Sequence, residues 1–264
     1  LLVSVNQGSN QSPSLLTVER KGSPKGPTVC IIGKGITFDS GGLALKPIRS
    51  MKDMKYDKIG AVSGAMALAH LMEQPSLKHV HFVGIFPFAE NVVSGNAVKP
   101  GDVIKSHSGK TVEIVNPDAE GRLILADAFS FADRYHPNLL IDIATLTGHA
   151  EYINCWHNGY YFAESDRLKT FVEKESYAIG ERMLPMPNWT DLPDILSSPV
   201  ADLLNDSSVC DDSVSAALFL REFVPKESDW LHIDLAHEQT NHIANGNGIR
   251  TMVSVVLEMY GKKK

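Results

Sequence analysis

The stretch TVCIIGKGITFDSGG, residues 28–42, changes character partway along. Thr28 to Ile32 are β-branched or apolar with no polar alternation, the pattern of a strand buried on both faces. Strands of that kind belong to sheets covered by helices on both sides. From Gly33 the composition shifts, and five glycine or proline residues stand between Gly33 and Met51. That passage reads as one long loop.

The same alternation repeats outward. From Asp57 to Met72 small and apolar residues recur at helical spacing (Ile59, Val62, Met66, Ala69), which places Asp57 near a helix start. His81 to Phe86 reads as a second buried strand and Asn91 to Gly101 as loop. Thr111 to Val115 reads as a short strand leading to Asn116-Pro117-Asp118, and Leu123 to Ala132 as a helix. Leu139 to Ile143 is another buried strand, followed by a turn at Thr145 to Gly148 and a helix from His149. A strand at Tyr160 to Ala163, a helix at Arg167 to Glu181 and a proline-rich passage from Pro185 to Pro199 come next. A helix at Val214 to Phe223, a strand at Trp230 to Leu235 and a helix at Ile249 to Tyr260 close the chain. Strands alternating with helices predict an α/β fold, a largely parallel mixed central sheet with helices on both faces. Loops beyond the strand carboxyl ends then collect functional residues. Ahead of Thr28, the Gly-, Ser- and Pro-rich stretch from Gln7 to Pro27 holds one short strand around Leu15 to Val18.

The 264 residues, 43% of them hydrophobic, suffice for one sizeable core. The balance of 25 Lys+Arg against 31 Asp+Glu, a formal charge of -6, argues against a general binder of nucleic acid or anionic membranes. The longest apolar runs, Leu139 to Ile143 and Val253 to Leu257, fall far short of the ~20 residues of a membrane helix. Cys30, Cys155 and Cys210 are odd in number and lack a Cys-x-x-Cys spacing, so neither a disulfide framework nor a thiolate zinc site is expected. A reducing, cytoplasmic setting is the simplest expectation. The opening Leu1-Leu2-Val3, without Met, reads as the start of a fragment.

Three clusters carry chemistry: GKGITFDSGG (33–42), MKYD (54–57) and NPDAEGRL (116–123). Their carboxylates Asp39, Asp57, Asp118 and Glu120 come from separated segments. That is what a pair of hard or borderline divalent cations requires, since bridging oxygens hold such ions roughly 3.5–4 Å apart. Asp118 and Glu120, one residue apart at a strand-to-helix junction, can aim into one site, and glycines around Asp39 permit close backbone approach. Taken singly, each Asp reads more simply as a turn or helix cap. Lys34 sits between glycines without the spacing of a nucleotide-binding loop, and alone it reads as a strand-end lysine. Lys46 and Arg122, judged singly, are solvated charges. Beside a metal pair, a lysine polarises a carbonyl and an arginine holds an anion.

These strings, together with the lysine of LALKP (43–47) and ATLTG (144–148), resemble the leucyl aminopeptidase, or cytosol aminopeptidase, family in order and approximate spacing. The resemblance covers roughly Leu1 to Tyr260, and NPDAEGRL is close to diagnostic. It implies an aminopeptidase with two divalent metal ions (Zn or Mn) per subunit. Lys34, Asp39, Asp57 and Glu120 would hold the tighter ion; Asp39, Asp118 and Glu120 would hold the exchangeable one. Lys46 would stabilise the oxyanion. Arg122 would hold a bicarbonate acting as general base, assisted by the backbone around Leu146. Met54, Asn116, Thr145, Leu146, Thr147 and Gly148 would line the substrate cleft, with Met54 reading equally as plain core. The implied substrates are short peptides with a free amino terminus, and the implied assembly is a homo-hexamer. Residues 1–27 would then lead in from an absent amino-terminal domain, and 28–264 would form the catalytic domain.

The chain departs from the family pattern in places. Pro117 stands where threonine is common, His149 where a small residue is usual, Asp211 and Asp212 in a stretch that is typically glycine-rich, and Ala236-His237 where Ala-Gly is expected. Two competing readings are a non-hydrolytic relative kept as a structural or DNA-binding assembly, and a two-metal phosphoesterase. The intact set of seven metal and catalytic positions disfavours the first. Lys34 and the DAEGRL string disfavour the second.

Overall fold

The computed structural model describes residues 1–148, 159–188, 194–235, 239–240 and 243–262. In chain order its elements are α1 (Leu2–Val5), β1 (Ser14–Arg20), β2 (Thr28–Gly33), β3 (Gly35–Asp39), α2 (Ile48–Met51), α3 (Ile59–Glu73) and β4 (His81–Asn91). They continue with β5 (Val103–Lys105), β6 (Thr111–Glu113), α4 (Gly121–Ala132), β7 (Leu139–Ala144), β8 (Tyr160–Ala163) and α5 (Asp166–Ala178). The last are β9 (Leu184–Pro185), β10 (Leu203–Leu204), α6 (Asp212–Arg221), β11 (Asp229–Asp234) and α7 (Ile249–Tyr260). A two-residue hairpin, Gln239–Thr240 against Ile243–Ala244, precedes α7.

The main sheet has eight strands in the order β1-β4-β2-β7-β11-β8-β9, with β3 pairing on β4. Its centre, β4-β2-β7-β11, is parallel, while β1 runs antiparallel to β4 and β8 antiparallel to β11. Val29 to Ile32 and Leu139 to Ile141 are fully buried, as expected of strands covered on both faces. One face carries α3, α5 and α7, with Leu68, Leu71, Val172, Met252 and Val255 in its core. The other carries α1, α4 and α6, with Leu123, Ile124, Phe129, Phe219 and Trp230. Each large apolar side chain withdrawn from water there contributes roughly 1.5–3 kcal/mol. The expected α/β sandwich is the observed one. Residues 1–27 join it through β1, paired along β4, and through Leu1 and Val5 in the core.

Four expectations are corrected. The passage 33–51 is not one loop: β4 runs on to Asn91, and its far end accepts β3 in parallel (Gly35↔Phe88, Asp39↔Asn91) where β2 lets go at Ile32↔Ile85. The apolar stripe assigned to α3 faces outward: Val62 and Met66 are 51% and 58% exposed, and Ala69 is exposed, while Ile59 alone of the four is buried. The buried face is made of small residues, Gly60, Ala61, Ser63, Gly64 and Ala67, with Leu68 and Leu71. Close approach to the sheet explains this, because a Cβ on Gly64 would stand 3.1 Å from Phe86 and 3.3 Å from Ile31. The helix expected to reach Glu181 ends at Ala178, ahead of Gly180 in the left-handed region (φ +77°). The last helix-bearing departure is α6, which starts at Asp212 because Asp211 caps it by accepting from Ser213 N–H at 2.9 Å. The helix expected from His149 and the Ala236-His237 pair lie outside the described residues. Among the described residues, no helix is long and apolar enough to cross a membrane.

Candidate metal centre

Lys34 occupies the break between β2 and β3. Its N–H donates to the Ile143 carbonyl on β7 (3.1 Å), and its own carbonyl accepts from Ala61 N–H in the first turn of α3 (2.8 Å). β2 thus ends between β4 on one side and β7 on the other, where the chain order of the sheet reverses. Ligands in open α/β sheets bind at such a point, outside the carboxyl ends of the strands. Asp39 ends β3, Asp57 precedes α3, Glu120 precedes α4 and Thr145 follows β7. All converge on that crevice.

Asp39, Asp57 and Glu120 are buried, and each presents a carboxylate oxygen within 4.8 Å of the other two. Lys34 Nζ lies 2.9 Å from Asp57 Oδ1, 2.9 Å from Glu120 Oε1 and 2.9 Å from the Thr145 carbonyl. Lys46 Nζ spans Asp39 Oδ2 (3.0 Å) and Asp118 Oδ1 (2.5 Å). Asp118 is not in the tight triad and meets it through Lys46; its side chain is 31% exposed. Two ammonium groups therefore face four carboxylates. Asp57 Oδ2 and Glu120 Oε2 are buried without a hydrogen-bond partner among the described residues. Glu120 Oε1 and Asp118 Oδ1 lie at ion-pair distance from their lysines without hydrogen-bond alignment. Orphaned anionic oxygens in a buried site are costly, and a cation is the group that fits them.

The titration pattern has the same origin. Burial, then repulsion from Glu120 and Asp39 against the pull of Lys34, holds the Asp57 carboxyl well above its ordinary range. Burial and Asp39 raise Glu120 likewise, and Asp118 is pushed up to about 7 by burial and Asp39. Burial by itself would lower the two lysines, but Asp57, Glu120 and Asp39 outweigh it at Lys34, as Asp39, Glu120 and Asp118 do at Lys46, so both are raised.

Neighbours hold each group in place. Thr145 Oγ1 donates to Asp57 Oδ1 at 2.7 Å. Asp39 Oδ1 accepts from Gly41 N–H and Asn91 Nδ2, both at 2.8 Å, and Asn91 Nδ2 also reaches the Pro117 carbonyl at 3.1 Å. Asn116 Oδ1 accepts from Asp118 N–H at 3.0 Å, and its Nδ2 donates to Asp206 Oδ2 at 2.8 Å. Gly121 is glycine for want of space: a Cβ there would stand 2.6 Å from Lys34 Cε and 2.8 Å from Nζ.

The family model for the cytosol aminopeptidase family, catalytic domain, matches residues 1–254. The chain belongs to that family. A probable cytosol aminopeptidase of Legionella pneumophila (strain Corby) is 42% identical over 240 residues, covering 89% of this chain and 48% of the relative. One from Chlorobium limicola is 38% identical over 265 residues, covering 97% and 52%. The chain thus spans about half the length of the curated relatives it matches. Among solved structures, the bottromycin maturation enzyme BotP in complex with Mn superposes with a TM-score of 0.88 at 34% identity, covering 98% of this chain and 59% of that one. A second BotP structure gives a TM-score of 0.87, again at 34% identity, covering 98% of this chain and 57% of that one.

The other positions expected of this cytosol aminopeptidase family member are placed as follows. Arg122 is 2% exposed; Nη1 donates to Asn205 O and Asp206 Oδ1, both at 3.0 Å, and Nη2 contacts Asp212 Oδ1. Leu146 N–H donates to Asp234 Oδ1 at 2.9 Å, and Thr147 Oγ1 lies 2.6 Å from both Asp234 Oδ2 and Ser213 Oγ. Met54 is half-buried in a 3-10 turn (Met54–Tyr56) just before Asp57, and Gly148 is exposed. Sequence reading missed Asn91, Asn205, Asp206 and Asp234, whose partners lie up to 90 residues away. It also missed a buried row under the site. His232 Nδ1 lies 2.7 Å from Asp142 Oδ1, and Asp142 Oδ2 accepts from Trp230 Nε1 at 2.8 Å. Its only signal was polar residues inside two otherwise apolar strands.

Proposed function

We propose that the protein is a leucyl-type, metal-dependent aminopeptidase that removes the first residue of short peptides with a free amino terminus. The observation that carries this is the buried carboxylate triad with orphaned oxygens at the sheet's switch point. Family membership and the manganese complex of BotP support it. Lys34, Asp39, Asp57, Asp118 and Glu120 would hold two divalent cations, Mn or Zn. When bound, these supply Lewis-acid polarisation of the scissile carbonyl and activation of a water.

This chain's own groups do the rest. Lys34 would bind as the neutral amine, giving up the proton that Asp57 and Glu120 now hold on it. Lys46, part exposed and kept charged by Asp39 and Asp118, would donate to a carbonyl oxygen as negative charge develops. Asn116 orients Asp118 through its backbone N–H. Thr145 orients Asp57 and Lys34 together, while Met54, Leu146, Thr147 and the open edge at Gly148 bound the cleft. The resemblance also puts a bicarbonate on Arg122. The residues around Arg122 do not fit one, since Asp206 and Asp212 already engage it, and no step is assigned to that ion. The relatives' name supports a cytosolic setting, and the resemblance a homo-hexamer.

The test is to titrate Mn(II), Zn(II) and Co(II) into the purified chain and follow amino-acid release from unblocked and N-acetylated peptides. Release from unblocked peptides alone is expected. Equal cleavage of blocked peptides would remove the aminopeptidase reading, and no cleavage with any metal would favour a non-hydrolytic relative.

A further inference from the structure

We propose that Asp206 and Asp212 fill the anion position on Arg122 with carboxylates of this chain's own, so that Arg122 is a positioning residue and the site works without dissolved bicarbonate. The inference rests on the aminopeptidase reading of the metal centre.

Both terminal nitrogens of the guanidinium are engaged. Nη1 has Asp206 Oδ1 and Asn205 O at 3.0 Å with Ser215 Oγ at 3.4 Å, and Nη2 has Asp212 Oδ1. Of the five N–H donors, one on Nη2 and the buried Nε–H are left without a partner among the described residues, on a side chain 2% exposed. A planar anion held in the fork of an arginine needs two parallel donors, and Asp206 and Asp212 each hold one of the two Nη nitrogens. Charge opposes docking as well. One guanidinium against two carboxylates leaves the cluster negative, and a further anion would enter against that balance. The backbone donor at Leu146 is also taken, by Asp234 Oδ1 at 2.9 Å.

What Arg122 does instead follows from its partners. Asp206 Oδ2 accepts from Asn116 Nδ2, and Asn116 holds the Asp118 N–H. Asp212 opens α6, and the next residue, Ser213, lies 2.6 Å from Thr147 Oγ1 in the turn that carries Thr145. Arg122 therefore clamps the 205–213 segment onto both the Asp118 arm and the β7 turn. The charge that closes the clamp at the glycine-poor end is Asp212.

The experiment titrates sodium bicarbonate into the zinc-loaded chain, reading heat by calorimetry and, separately, initial rates on an unblocked peptide in carbonate-free buffer. The wild type should give no saturable heat and a flat rate. Asp212→Asn and Asp212→Gly, each checked for folding by thermal melt, should gain saturable binding and a rate that rises with bicarbonate. Saturable bicarbonate binding by the wild type overturns the proposal. Indifference to bicarbonate in the folded Asp212 variants overturns it too. A protein that cleaves no peptide with any metal fails the aminopeptidase reading, and the calorimetric arm still decides this one.

Discussion

Two buried polar clusters meet at the start of α4 and differ in how completely they satisfy themselves. Around Glu120, two lysines face four carboxylates, and oxygens of Asp57 and Glu120 are left without hydrogen bonds. Two residues on, both terminal nitrogens of Arg122 are engaged, by Asp206, Asp212, Asn205 O and Ser215, and Nε is without a hydrogen-bond partner among the described residues. The first leaves charge that a cation would fit; the second pairs its charge within the chain. Burial alone does not separate them, since Glu120 and Arg122 are 1% and 2% exposed. The tally of unmet partners does.

The largest effect expected from this contrast is at Glu120. Glu120→Ala should lower kcat/KM by at least about a thousandfold, on the order of 4 kcal/mol, and should remove tight metal binding in calorimetry. In chelator, where the orphaned oxygens earn no stability, the same variant should melt within about 1 kcal/mol of wild type. Retained turnover would move the metal site elsewhere. Arg122→Ala is expected to behave the other way round. It leaves two carboxylates facing each other without their cation, so urea melts in chelator should show a loss of about 3 kcal/mol. A loss as small as that at Glu120 would erase the distinction between the clusters.

Gly121, between them, offers a finer test. Its missing Cβ makes room for the Lys34 side chain, which stands 2.6 Å from where that atom would be. Gly121→Ala should push Lys34 off Asp57 and Glu120, weakening metal affinity by roughly 10–100-fold and costing about 1–3 kcal/mol by overpacking. Metal affinity unchanged in the variant would show that Lys34 is not needed at the centre.

The sheet was legible because a doubly buried strand leaves an unbroken apolar run, and Val29 to Ile32 has no other simple reading. Lys34, Asp39, Asp57 and Glu120, from three separated motifs, come together in the fold. The buried face of α3 is not legible from its large apolar residues, for a physical reason: a helix pressed close to a sheet buries its smallest residues, Gly60, Gly64 and Ala67. β3 was hidden by its glycines, which read as loop but serve a strand that replaces β2 along β4. The contacts of Arg122 with Asp206 and Asp212 are not legible in the sequence, because those residues are 84 and 90 positions away and carry no spacing signal.

The smallest effect is on stability against pH, and it sharpens the contrast by its sign. In the metal-free protein Asp118 is held near 7 by burial and by Asp39, above its unfolded range near 4, and Asp57 and Glu120 are raised for the same reason. The folded state therefore holds protons that the unfolded chain has released. Stability should be fully present below about pH 4 as far as these groups are concerned, and should fall as pH rises through about 7. Solvent access to Asp118 limits the change to about 1 kcal/mol. Cations reverse the slope, since they bind the ionised carboxylates and are released as these protonate. Melts in chelator and in excess Mn(II) across that window should tilt in opposite directions. Parallel curves would mean that the carboxylates are already balanced without metal, and the difference between the two clusters would then be one of geometry rather than of unmet charge.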